Sequence, residues 1–214
     1  ADAFTIENEP VDSIDLMERA ASKVYEWFMK RCKTKEVSVK IFCGIGNNGG
    51  DSLALARMLY ATNIIPQVFV VRYSEKMSAD CEVNFNRLNE ESDVPMYDIV
   101  SENDFPQIYD NDIVIDAIFG SGLNRPIEGF TAELINYLNK SNAIKIAIDI
   151  PSGIQEFRSS ETQGKWPMSN SQQPIIMADY TLTFQFPKLA FMFPEYDAFV
   201  GKWEDLDINL HKDF

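Results

Sequence analysis

The stretch Cys43-Gly44-Ile45-Gly46-Asn47-Asn48-Gly49-Gly50-Asp51 decides the fold of this chain. An apolar, β-branched run from Val37 to Cys43 leads straight into it. Leu53-Ala54-Leu55-Ala56-Arg57-Met58-Leu59 leaves it as an apolar helix. A strand, a glycine turn and a helix start gather backbone N–H groups and the positive end of a helix around an anion. Gly44, Gly46 and Gly49 even satisfy G-x-G-x-x-G, the spacing of a dinucleotide fingerprint. The remaining residues depart from the generic nucleotide patterns. A phosphate loop of the form G-x-x-x-x-G-K-[ST] needs Lys after Gly49, where Gly50 and then Asp51 stand. An ordinary dehydrogenase places an acid at the end of the second strand to hold a ribose, and Arg72-Tyr73 stand there.

Asp51 would repel a pyrophosphate unless it paired with a ligand hydroxyl, and it reads equally as a helix acid favoured by the dipole. Asn47 and Asn48 can each form a turn. Two of them before two glycines exceed what a turn requires, so they read as ligand residues. Gly49 and Gly50 read as positions where backbone approaches that ligand.

Periodicity extends the pattern in both directions. Ser13, a capping residue, opens an amphipathic helix to Arg31 through Leu16, Met17, Ala20, Val24, Trp27 and Phe28. Strands are expected over Pro66–Val71, Val94–Val100, Asn111–Phe119, Ile144–Ile150, Ala178–Phe184 and Lys202–Ile208. Helices are expected to Thr62, over Ser78–Glu90 and over Gly129–Asn139. The polar stretch from Glu156 to Gln173 reads as a long loop, a lid or an oligomer contact. Alternating strands and helices imply an α/β fold, with a parallel sheet and helices on both faces. No repeat and no interdomain linker interrupts residues 1–214.

In such a sheet, ligands sit beyond the carboxyl ends of the strands, where the strand order reverses. Three polar loops leave those ends: Asn47–Asp51, Asp116–Pro126 and Asp149–Gly153. They are expected to gather Asn48, Asp51, Asp116, Asp149 and Ser152 around one crevice. Asp116 closes the apolar run Ile113-Val114-Ile115, and a carboxylate there needs a cation, a backbone nest or a substrate proton. Asp149 closes Ile146-Ala147-Ile148 in the same way. Oxygen donors from Asn48, Asp116 and Ser152 suit an alkali or alkaline-earth ion rather than zinc. Lys188 reads either as a site cation or as a snorkelling surface lysine. Phe191, Phe193, Phe199 and Trp203 read as core, and His211 as surface.

The composition narrows the partners. The chain has 214 residues and a net charge of -14, which disfavours nucleic acid and anionic membranes. Cys32, Cys43 and Cys81 form no C-x-x-C pair and suggest a reducing, cytoplasmic setting. Cys43 reads as a small apolar residue rather than a nucleophile. Ala1–Pro10 carries acids without the basic-then-apolar order of a signal peptide. The chain does not begin with Met, so flanking domains are left open.

Gly46-Asn47-Asn48-Gly49-Gly50-Asp51, Asp116-Ala117-Ile118-Phe119-Gly120 and Asp149-Ile150-Pro151-Ser152-Gly153 resemble the three signature loops of the NAD(P)HX epimerases, the YjeF N-terminal domain. Leu16-Met17-Glu18-Arg19-Ala20 resembles that family's opening helix, and Thr181-Leu182-Thr183-Phe184 with Pro187-Lys188 its late strand. The resemblance implies a Rossmann-like three-layer αβα sandwich with a mostly parallel sheet, in one domain. It implies interconversion of the R and S forms of hydrated NADH and NADPH, which bear a hydroxyl at C6 of the nicotinamide ring. It assigns substrate contact to Asn47, Asn48, Gly49, Gly50, Asp51 and Asp149, and to the loop Gly120-Ser121-Gly122-Leu123-Asn124-Arg125-Pro126. It assigns K+ coordination to Asn48, Asp116 and Ser152. Asp116 and Asp149, with Lys188, are the candidate catalytic groups.

A homodimer and a fused or separate ADP-dependent dehydratase are the partners the resemblance suggests. The chain departs from the family pattern at Ile45, where Pro is frequent, and at Ser52 and Asn209, where Gly is. Ser52 is expected to tighten the helix start. Two other readings compete: a non-catalytic scaffold, and an ordinary NAD(P)-dependent dehydrogenase. The three loop acids count against the first and Arg72 against the second.

Overall fold

The computed structural model describes residues 2–32, 36–155, 173–211 and 213. In chain order these form α1 (Asp2–Asn8), α2 (Ser13–Arg31), β1 (Ser38–Cys43), α3 (Asn47–Ala61), β2 (Gln67–Val71), α4 (Ala79–Glu91) and β3 (Met96–Ile99). Then follow β4 (Asp112–Ala117), α5 (Gly129–Asn139), β5 (Ile144–Ile148), β6 (Tyr180–Phe184), α6 (Asp197–Val200) and β7 (Lys202–Leu206). The strands build one sheet in the order β3-β2-β1-β4-β5-β6-β7. Every pairing is parallel, where the sequence led us to expect a mostly parallel sheet. The order reverses between β1 and β4, which opens a crevice past their carboxyl ends.

Side chains alternate across the sheet because strand residues point to opposite faces in turn. Val39, Ile41 and Cys43 of β1 pack with α2, α3 and α4 on one face. Phe42 packs on the other, with Leu134, Ile135 and Leu138 of α5. Helix α2 buries Leu16, Met17, Ala20, Ala21, Val24, Trp27 and Phe28, at the spacing expected of it. Its cap position is Asp12 rather than Ser13, whose hydroxyl instead donates to Asp80 Oδ2 at 2.5 Å and ties α2 to α4.

Other expectations shift. Asn47–Asp51 is not a loop but the opening of α3. Phe191 is buried as expected, but Trp203 is 37% exposed because β7 lies at the sheet edge. Helix α1 and the helical turns Leu189–Met192 and Pro194–Tyr196 were not foreseen, since so few residues show too little periodicity to read. The long loop expected over 156–173 lies, but for Gln173, outside the described residues. No helix among the described residues is long and apolar enough to cross a membrane.

At the amino-terminal end of the sheet, Lys40 of β1 and Asp112 of β4 form a buried ion pair at 2.5 Å. The Tyr109 backbone N–H donates to the same carboxylate at 2.7 Å. Burial alone would raise the Asp112 carboxyl. Its bonds to Lys40, Ser38 and Tyr109 outweigh that and hold it below the usual range.

Candidate active site

At the opposite end of the sheet lies a crevice of about 900 Å³. The turn after β1 and the start of α3 supply Gly46, Asn47, Asn48 and Asp51. The loop after β4 contributes Gly120 to Arg125, the turn after β5 contributes Asp149, and the segment after β6 contributes Gln185 and Lys188. Leu16 and Met17 of α2, with Ile208 and Leu210 of the carboxyl-terminal tail, form an apolar wall. The three loops singled out from the sequence therefore meet.

Asp149 is the charged centre of the crevice. Its backbone is left-handed, with φ 67°, and its N–H donates to Leu182 O at 2.7 Å. Non-glycine residues adopt that conformation at a cost, which the surrounding bonds must offset. Its Oδ1 lies 2.9 Å from Lys188 Nζ, and its Oδ2 accepts the Ser121 N–H at 3.0 Å. Lys188 thus lines the crevice, paired with Asp149. Gly120 packs against the pair formed by Asn48 and Asp149: a Cβ there would lie 3.1 Å from Asn48 Cβ and 3.3 Å from Asp149 Oδ2.

Asp116 and Ser152 do not line the crevice; both are fully buried beneath it. Ser152 Oγ–H donates to Asp116 Oδ1 at 2.6 Å, and the Ser152 N–H donates to Oδ2 at 2.8 Å. Ser152 Oγ in turn accepts the Phe119 N–H at 2.9 Å. This network sews the turn after β5 onto the loop after β4. Burial pushes the Asp116 carboxyl up to about 6, against the lowering effect of the bonds from Ser152 and Ile118. Asn48 is buried too, and neither its side-chain oxygen nor its nitrogen has a hydrogen-bond partner among the described residues. A buried amide left so is costly unless a ligand completes it.

The glycines after Asn48 have a different explanation from the expected one. A Cβ on Gly49 would lie 1.9 Å from Gly44 O, and one on Gly50 would lie 2.6 Å from Met17 Sδ. Both let α3 pack against its own protein, and neither lines the crevice. Ser52 does tighten the helix start, its hydroxyl donating to Gly49 O at 2.8 Å. Gly122 and Pro126 belong to the loop after β4, Pro126 on a smaller side pocket. Arg72 is turned away and bonds Asp98 at 2.8 Å. Cys43 is fully buried, and a hydrogen bond with Cys81, together with burial, pushes its thiol well up, which disfavours a thiolate nucleophile. The three cysteines are free.

Sequence reasoning missed Tyr73 and Gln185 as crevice residues. Tyr73 stacks on Phe119 with ring centroids 4.7 Å apart. Gln185 has a left-handed backbone, φ 61°, and its Oε1 accepts the Ile208 N–H at 3.1 Å, which seats the tail. Neither carries a local signal beyond its place just after a strand.

A family model described as YjeF-related protein N-terminus matches residues 13–190. An NAD(P)H-hydrate epimerase of Oenococcus oeni is 30% identical over 211 residues, spanning 99% of this chain and 93% of that protein. One of Limosilactobacillus fermentum is 30% identical, spanning 94% and 88%. The bifunctional NAD(P)H-hydrate repair enzyme Nnr of Moorella thermoacetica is 31% identical, and the match spans 94% of this chain but 37% of that longer protein. Among solved structures, the crystal structure of yeast ynu0 superposes with a TM-score of 0.67 at 25% identity, covering 89% of this chain and 76% of that one.

Proposed function

Because the chain belongs to the family of YjeF-related protein N-termini, we propose that its crevice is the site of an NAD(P)H-hydrate epimerase. The reaction is an isomerisation: the R and S forms of hydrated NADH or NADPH interconvert at C6 of the nicotinamide ring. The observation that carries the reading is the Asp149–Lys188 pair, 2.9 Å apart in a crevice roomy enough for a dinucleotide. It offers a proton acceptor and a proton donor side by side.

Asp149 takes the proton of the C6 hydroxyl as the C6–N1 bond opens. The hydroxyl oxygen becomes an aldehyde oxygen, the bonding pair goes to N1, and Lys188 returns a proton there. Rotation and closure on the other face reverse both transfers. The Ser121 N–H holds the carboxylate in place meanwhile. Positioned acid–base groups of this kind contribute about 10²–10⁴-fold. Asp116, buried below, positions the turn that carries Asp149 rather than meeting the substrate. Asn47, Asn48 and Asp51 face the remainder of the dinucleotide, with the start of α3 favouring its phosphates.

Asn48, Asp116 and Ser152 would hold a potassium ion. Their donors are hard oxygens, and the unpartnered amide of Asn48 fits such a role. Bound there, the ion supplies a fixed positive charge that keeps Asp116 ionised. The same reading includes a homodimer, a cytoplasmic setting consistent with three free cysteines, and a dehydratase partner, fused or separate.

The test is the rate at which purified R and S NADHX exchange. Asp149→Asn should slow exchange by about 10²–10⁴-fold with the fold intact. An unchanged rate removes Asp149 from the chemistry. A wild-type protein that folds but exchanges neither epimer is a scaffold.

A further inference from the structure

Two cationic side chains line the crevice among the described residues, Lys188 and Arg125. Lys188 is engaged with Asp149. The chain carries a net charge of -14, so a phosphate-bearing ligand meets a repulsive field unless local charge offsets it. Arg125 is placed to do this. Its guanidinium lies over Tyr73, 5.9 Å from the ring centroid, and Tyr73 is tilted onto Phe119. The Arg125 carbonyl accepts Gln155 Nε2–H at 3.1 Å, which ties this loop to the chain leaving the β5 turn.

Tyr73, Phe119, Leu123 and Arg125 also line a second pocket, of about 250 Å³, completed by Ile127 and Phe130 among others. Arg125 and Tyr73 are therefore a partition, with the crevice on one side and an aromatic pocket on the other. The smaller pocket is lined by the rings of Tyr73, Phe119 and Phe130, has a volume suited to one flat ring system, and includes Glu128 as a carboxylate acceptor.

We propose that this side pocket is the adenine subsite and that Arg125 grips the phosphates of the adenosine half. The proposal rests on the epimerase reading above. Aromatic faces stack on a base without needing its sequence-specific edge, and the planar guanidinium matches phosphate oxygens in pairs. The two ends of the crevice then divide the work. Asp149 and Lys188 act on the hydrated ring, while Arg125 supplies binding remote from the reacting atoms.

Titration with ADP-ribose, which lacks the reacting ring, reads the subsite apart from the reaction. Wild-type protein should bind it, and Arg125→Ala should weaken that binding by about 10–100-fold. Arg125→Lys should recover part of the loss, because the charge stays while the planar fork goes. With NADHX, R125A should raise KM by a similar factor and change kcat far less. With hydrated reduced nicotinamide mononucleotide, which has no adenosine half, the gap in KM between wild type and R125A should close. Equal ADP-ribose affinity in wild type and a folded R125A overturns the proposal, whether or not the protein exchanges NADHX epimers. Arg125-dependent binding in a protein that exchanges neither epimer supports the subsite and overturns the epimerase reading.

Discussion

Strand β4 carries a carboxylate near each end, and the two ends treat it in opposite ways. Asp112, at the start, is buried against the Lys40 ammonium at 2.5 Å and held below the usual carboxylate range. Asp116, near the other end, is as deeply buried, but it meets only neutral donors from Ser152 and Ile118 and is pushed up to about 6. Both sit in one strand, four residues apart, with the same neighbours β1 and β5. One end of the sheet completes its charges internally. The other, among the described residues, leaves the Asp116 carboxylate with neutral donors and the Asn48 amide without a hydrogen-bond partner.

The harshest break of this comparison is Lys40→Met. It strands the Asp112 carboxylate, and removing one partner of a buried pair costs about 3–5 kcal/mol. Urea denaturation at neutral pH should show that loss, with epimer exchange per folded molecule unchanged. A loss below 1 kcal/mol would mean that Asp112 escapes to solvent and that the two ends are alike.

Asp116→Asn should act in the other direction. A carboxyl raised in the folded state favours folding below its unfolded value near 3.8, and that contribution is lost as pH rises through about 6. The shift amounts to about 3 kcal/mol. In potassium-free buffer, the stability difference between D116N and wild type should therefore move by about 2 kcal/mol in the variant's favour between pH 4 and pH 7. A difference that stays flat with pH would show that Asp116 is already compensated in the empty protein.

Potassium sharpens the contrast most gently. An ion that binds only the folded state adds about 1.4 kcal/mol at ten times its dissociation constant. Wild type should gain that in potassium over a large organic cation, as a rise in melting temperature. D116N should gain little, and removal of the ion by dialysis should reverse the effect. Equal gains in the two proteins would place the ion elsewhere.

Much of this molecule was legible beforehand. Helix α2 and α5 follow the apolar spacing from end to end, and the glycine turn marks where the strand order reverses. Asn209 proves to have φ 55°, a left-handed conformation that Asn tolerates. Some residues misled for physical reasons. Gly49 and Gly50 suggested ligand contact, yet the atoms that exclude a Cβ belong to Gly44 and to Met17 of a distant helix. Arg72 follows β2 and pairs with Asp98 of β3, a neighbour only the sheet supplies. Tyr73 becomes a crevice wall only because Phe119, 46 residues on, lies against it.

Local patterns by themselves determined the order of the strands and of the longer helices α2 to α5, the glycine turn and the set of acids at strand ends, because periodicity and turn chemistry act over a few residues. They could not separate Asp116 from Asp149. Each closes a run of apolar strand residues, and nothing nearby distinguishes them. The tertiary structure decided between them. Ser152 folds over Asp116 and seals it from the crevice, while a left-handed backbone turns Asp149 out to Lys188. Exposure and charge pairing arise from contacts between distant segments, so the choice of acid belongs to the packed fold.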